Sequence, residues 1–256
     1  MNTNPILTKN IFLVVILITL ISSCSMQNNT HSGKVTYHYI TDTHAQIKNQ
    51  LQVANRLADT TLYFEQYPKY DTMTWVSEFQ NNKTKTYIVR SEEEQHNDSI
   101  NRANGQYVFD PIIYKLDSLN HWIETVRDTL YNIQEVLGQT TLIPYEEFVE
   151  NDRAVEETFF GLKARQATLH FDMEYPNIGT PDFEIWYADG IQASAGPLEF
   201  FTKNKVILRA QNKGGIFLKV EAVDFEEMTF EEGHFSIPTE SIQISMEDFH
   251  HVIGYH

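Results

Sequence analysis

From Lys34 onward the chain is built of short runs in which large apolar and polar residues alternate. The first, Lys34-Val-Thr-Tyr-His-Tyr-Ile40, sets Val35, Tyr37 and Tyr39 on one side of an extended backbone and Thr36 and His38 on the other. A period of two is the signature of a half-buried strand, because successive side chains of an extended chain point to opposite faces. Comparable runs follow at Thr74–Phe79, Lys85–Arg90, Gln106–Phe109, Ile112–Leu116, His121–Val126, Leu130–Ile133, Gln166–Phe171, Phe183–Tyr187 and Lys205–Ala210, with a shorter one at Thr61–Phe64. The links are polar and short, so neighbouring strands pair antiparallel without crossover helices. The last run pairs with Ile216–Ala222 across Asn212-Lys213-Gly214-Gly215, whose glycines permit the positive φ of a tight turn.

Helical signals are few. Ile47, Leu51, Val53, Ala54 and Leu57 recur at helical spacing and predict one amphipathic helix within Ala45–Ala58. Tyr145–Glu157 is acidic and reads as a short helix, whereas Ser91–Gly105, rich in Glu, Asn and Asp without apolar periodicity, reads as a solvated loop. The expected fold is mainly β (α+β): a single antiparallel curved sheet or incomplete barrel, with one or two helices against its concave face. That shape resembles the incomplete barrels of periplasmic lipoprotein carriers. At 256 residues, 41% hydrophobic, the chain has enough apolar matter for one core, and disorder and coiled coil are excluded. A net charge of −16 repels phosphate backbones, which excludes nucleic acid as a partner.

The N-terminus addresses location. Lys9 precedes an apolar run, Ile11 to Ile21, broken only by Thr19. Eleven residues are too few for a helix to cross a hydrocarbon core of about 30 Å, so residues 1–23 read as a signal peptide. Ile21-Ser22-Ser23-Cys24 resembles the bacterial lipobox, and Cys24 is the sole cysteine, with no disulfide partner. The expectation is a lipid on Cys24, a polar tether over 24–32 and one domain over 33–256. Ser25 in place of Asp resembles the outer-membrane sorting pattern. With no acidic cluster after the cysteine, the periplasmic side is expected.

Trp186-Tyr187-Ala188-Asp189-Gly190-Ile191, then Ala195-Gly196-Pro197-Leu198-Glu199-Phe200, then Val206-Ile207-Leu208, resembles the hallmark region of the GLPGLI family of Bacteroidota lipoproteins and secreted proteins. The likeness covers residues 161–222, beginning at Gly161-Leu162-Lys163-Ala164. Thr202-Lys203-Asn204-Lys205 stands where that family carries Gly-Leu-Pro-Gly. The resemblance implies an envelope location and a β-rich fold, and assigns no chemistry.

Catalytic signatures are absent: no Gly-x-Ser-x-Gly, His-Glu-x-x-His, Cys-x-x-Cys or phosphate-binding glycine loop occurs. No cofactor or metal is expected. His250 and His251 are adjacent and His256 is terminal, so the three are not preorganised as a tetrahedral set, and His38 and His170 are expected to face solvent. The acidic stretches Asp224–Glu232, Glu92–Glu94 and Glu146–Glu147 lack a calcium-loop pattern and read as solvated surface. Gly196 and Pro197 are built to turn the chain and, with Phe200, are candidates for the rim of a binding cavity. Asp-Ser and Asp-Thr pairs make Thr60, Thr72, Ser99, Ser118 and Thr129 candidate O-glycosylation sites, which requires exposed turns. The functional expectation is a membrane-anchored envelope lipoprotein of non-catalytic binding type, whose partner is an apolar small molecule or an outer-membrane protein. The alternative is an envelope hydrolase whose carboxylates converge from distant strands.

Overall fold

The computed structural model describes residues 32–54, 56–116, 119–136, 145–150, 157–171, 182–191, 193–197, 200, 205–213 and 217–254. The strands are β1 (Ser32–Asp42), β2 (Tyr70–Gln80), β3 (Lys83–Val89), β4 (Ile112–Leu116), β5 (Leu119–Val126), β6 (Thr129–Val136), β7 (Tyr145–Glu150), β8 (Glu157–Phe159), β9 (Leu162–Phe171), β10 (Asp182–Ala188), β11 (Ile207–Asn212), β12 (Leu218–Glu227) and β13 (Ile242–Ile244). The helices are α1 (Thr43–Val53), α2 (Thr60–Gln66), α3 (Glu92–Ala103) and α4 (Met246–Val252), with one 3-10 turn at Leu57–Asp59.

All strands join one open sheet in the order β13-β6-β5-β4-β3-β2-β1-β12-β11-β10-β9-β7, with β8 beside β9. Pairing is antiparallel except between β13 and β6. The chain steps outward from β1 to β6, reaches the opposite edge, and returns through β10, β11 and β12 to close against β1. β1 is therefore gripped on both sides, pairing with β2 over its whole length. Its alternation is realised: Val35 and Tyr37 are fully buried and Tyr39 nearly so, while His38 on the other face is half-buried.

In-register pairing carries the buried face across the sheet. Tyr37 lies opposite Trp75, Tyr39 opposite Val220, and Val220 opposite Ala210, which pairs with Ile185. These residues share one core with Phe79, Ile88, Ile113, Ala167 and Leu169. Irregular chain covers much of this face where helices were expected. Phe200 packs on Tyr39 (ring centroids 6.4 Å) and edge-on to Phe183 (4.9 Å), and Thr84 Oγ1 donates to the Ser194 carbonyl. Phe109 wedges between Trp75 and Trp122. Among the helices, α4 seats Phe249 in a smaller core with Val126 and Ile133.

The predicted hairpin forms as β11 and β12, although Gly214 and Gly215 lie outside the described residues. Four expectations are corrected. Thr61–Phe64 belongs to helix α2, not a strand. Ser91–Gly105 is not a loop but contains α3, closed by a capping box in which Ser91 and Glu94 satisfy each other's backbone N–H groups. Tyr145–Glu150 is strand β7, because its backbone pairs with β9. Gln106–Phe109 is irregular and lies over the core instead of joining the sheet.

Register also sorts the connections by end. Ser32 faces Gln80 across β1 and β2, where Asn81 at φ 56° turns the chain tightly into β3. Asp42 faces Tyr70 at the far end, roughly 35 Å away for a strand of this length. Thr74 faces Val89, Tyr87 faces Ile112, and Ile123 faces Asn132, so the far end also carries α3 and the C-terminal part of β5. Long helical connections thus gather at the end opposite Ser32.

Candidate buried carboxylate site

Glu124 lies near the far end of β5, on the face that holds Trp122 and Val126. Alternation makes that the core-facing set, and Glu124 follows its neighbours inward to 1% exposure. Its Oε1 accepts from Tyr107 Oη at 3.0 Å and from Trp122 Nε1 at 3.1 Å. Its Oε2 is equally buried and has no hydrogen-bond partner among the described residues. Tyr131, directly opposite on β6, shares the same face. Phe249 stands edge-on to both Tyr107 (6.2 Å) and Tyr131 (6.1 Å).

A carboxylate out of water is destabilised as an anion. Burial therefore pushes Glu124 up to about 7, against the opposing pull of the Trp122 and Tyr107 donors and the nearby Asp110 backbone N–H. The negative charge of Asp110 adds in the upward direction. Asp110 itself is exposed and paired with Arg102 Nη2 at 2.9 Å. Tyr107 is raised as well, first by burial and then by the charge of Glu124. The result is a buried carboxyl raised toward neutrality and set among aromatic rings.

A second polar cluster sits on the opposite face. Glu78 accepts from Tyr87 Oη at 3.0 Å and contacts His234 Nε2 at 2.6 Å, with the His234 ring stacked on Phe230. Burial, then Glu78, raises Tyr87 to about 12. Both oxygens of Glu78 are occupied, and the contact ties the chain after β12 to the sheet. Further along that face Arg209 links Glu157 and Glu221 and stacks on Phe159 and Trp186, a structural ladder between strands.

The residues singled out from sequence are not brought together here. Gly196, Pro197 and Phe200 are buried: Phe200 is 0% exposed and its N–H bonds the Pro197 carbonyl at 2.9 Å, so the turn fills the core rather than forming a rim. Thr72 is exposed on β2 and Ser99 on α3, while Thr60 opens α2, so none of these three occupies a turn; Thr129 begins β6 directly after the Arg127–Asp128 turn. Cys24, Ser118 and residues 1–31 lie outside the described residues. His250 and His251 sit in the last turn of α4. Among the described residues no three His, Cys, Asp or Glu side chains group to hold a metal, and no helix is long and apolar enough to cross a membrane. Sequence reasoning missed Glu124, though its signal was present: a carboxylate at a position that alternation assigns to the core.

No family model and no curated protein matches the chain. Among solved structures it is similar to PNGF-II, with a TM-score of 0.53 at 11% identity over 87% of this chain. The chain spans 32% of that structure's length, and the likeness is one of fold.

Proposed function

We propose that the protein is an envelope lipoprotein of non-catalytic binding type, anchored through Cys24 at the outer membrane and engaging an outer-membrane protein with the far end of its sheet. The observation that carries this reading is the distribution of exposed apolar side chains. Leu57, Leu62, Tyr67 and Tyr70, at 46%, 62%, 50% and 48% exposure, all lie on or beside the excursion between β1 and β2. This excursion is at the opposite end of β1 from Ser32, and so from the tether. Helix α2 buries none of its residues, and clustered exposed apolar side chains mark interaction surfaces. The resemblance of Trp186–Leu208 to the GLPGLI hallmark and of Ile21–Cys24 to a lipobox supports the envelope location. A protein partner is favoured over an apolar ligand because Tyr37, Trp75, Phe79 and Phe200 already fill the concave face. A photo-crosslinking residue at Leu62, with Lys83 near the other end as control, tests this in the native envelope. The expected result is an adduct with an outer-membrane protein from position 62 and none from 83. Equal labelling at both positions, with a solvent-extractable apolar molecule in the purified protein, contradicts it.

The hydrolase alternative has one observation in its favour. Glu124 and Asp110 are two nearby carboxyls in unlike settings, one buried and raised toward 7 and the other ion-paired with Arg102 at 2.9 Å, and catalytic carboxyl pairs are set apart by environment in this way. Turnover of a chromogenic glycoside or amide that disappears in Glu124→Gln would favour it over a binding role.

A further inference from the structure

The hairpin joining β8 to β9 gives up stability twice at its tip. Phe159 pairs with Leu162, so Phe160 and Gly161 form a two-residue loop, and both have positive φ, at 52° and 79°. Such a loop favours Asn-Gly, because a bulky side chain is strained in the left-handed region. Phe160 holds that conformation and is also 46% exposed, which sets a large ring in water. A strained residue with an exposed ring at a loop tip points to a contact made outside the chain.

Register shows what the tip stands beside. His38, Glu221, Arg209, Trp186 and Gln166 form one row across β1, β12, β11, β10 and β9. Ser32 lies six residues before His38 on β1, and Phe160 lies six residues before Gln166, in the same direction. The tip is therefore level with the N-terminal end of the domain, four strand spacings or about 19 Å to one side. Ser32 is eight residues beyond Cys24, a reach of up to about 27 Å. A lipid on Cys24 thus brings a bilayer surface within range of Phe160. Lys83 and Lys163 at this end are offset by Glu226 and Glu227, so apolar burial rather than charge has to carry the contact.

We propose that the Phe160-Gly161 tip is a lipid-contacting foot, its ring bedded at the headgroup boundary of the bilayer that holds the acylated Cys24. The inference rests on the anchored reading above. Foot and tether together hold the sheet with Leu62 and Tyr70, at its other end, directed away from the lipid.

Fluorescence quenching in the full mature chain tests this. Lys163→Cys, exposed three residues from Phe160, carries a polarity-sensitive fluorophore, and Tyr67→Cys at the other end carries the same label as control. Each protein is reconstituted into phosphatidylcholine vesicles containing a lipid spin-labelled at headgroup depth. The expected result is quenching at 163 and none at 67, unaltered by added salt. Phe160→Asn, which suits the left-handed turn, is expected to raise the unfolding midpoint while lowering the equilibrium for tip contact about tenfold or more, so that quenching at 163 is lost. No quenching at 163, or equal quenching with Phe and Asn at 160, overturns the inference. The intact mass of the same preparation keeps the two claims apart. A lipidated chain without quenching at 163 would sink the foot alone, and an unlipidated chain that is still quenched there would sink the anchor alone.

Discussion

A β-carbon placed on Gly196 would lie 1.9 Å from the carbonyl oxygen of Phe200. The obstacle is backbone, which cannot swing aside, and the segment is held from both directions. Ala195 N–H bonds the Lys205 carbonyl at 3.0 Å, and Phe200 packs on Tyr39 and Phe183. Glycine at 196 thus lets this connection fold back and fill the concave face, which is why that face serves as core.

Gly196→Ala is accordingly expected to destabilise the domain by about 3 kcal/mol, with Phe200 forced off its site. Gly105→Ala is the control: its φ of +76° strains an alanine, but a β-carbon there meets nothing within 4 Å, so the cost is about 1 kcal/mol. Denaturant midpoints compare the two directly. A loss at Gly196 no larger than at Gly105 would show that the close approach is not rigid.

Glu124 makes stability depend on pH in a defined direction. Its carboxyl is raised in the folded chain from 4.5 to about 7, so the folded state holds the proton more tightly than the unfolded state. Its protonation therefore favours the fold at low pH. That contribution is lost as pH rises from the unfolded value through about 7, by on the order of 3 kcal/mol. Glu124→Gln, which stays neutral, removes this slope. Unfolding midpoints measured across the window check it, and parallel profiles for the two proteins would contradict it.

Ser91→Ala breaks the capping box of α3 and weakens that helix by about 1 kcal/mol. Because α3 buries none of its residues, the loss is expected to stay local. Amide exchange across Glu92–Ala103 should quicken while the global midpoint hardly moves. A midpoint shift as large as the cap energy would mean the helix is coupled to the core.

The strands were legible because packing enforces their pattern. Val35, Tyr37 and Tyr39 alternate in sequence and alternate in burial, and β11 and β12 pair antiparallel as their own alternation led one to expect. The helices α2 and α3 were hidden for the converse reason: neither buries a residue, so no apolar stripe marks them. The capping pair Ser91 and Glu94 was the readable trace of α3, a local hydrogen-bond signal that hydrophobic periodicity ignores. Gly196-Pro197 was recognisable as a turn, but its inward path is set by Tyr39, Phe183 and Thr84, which are distant in sequence. The Glu124 site depends in the same way on Tyr107 and Phe249 arriving from separate segments.

Whether the protein is an anchored binding module is decided by the intact mass of the chain extracted from its own membranes. The expected result is a chain beginning at Cys24 and heavier than its sequence by a diacylglyceryl group with or without a further acyl chain, and a Cys24→Ala protein that carries no such added mass and is lost from the membrane fraction. An unmodified chain, cleaved elsewhere or not at all, would contradict it.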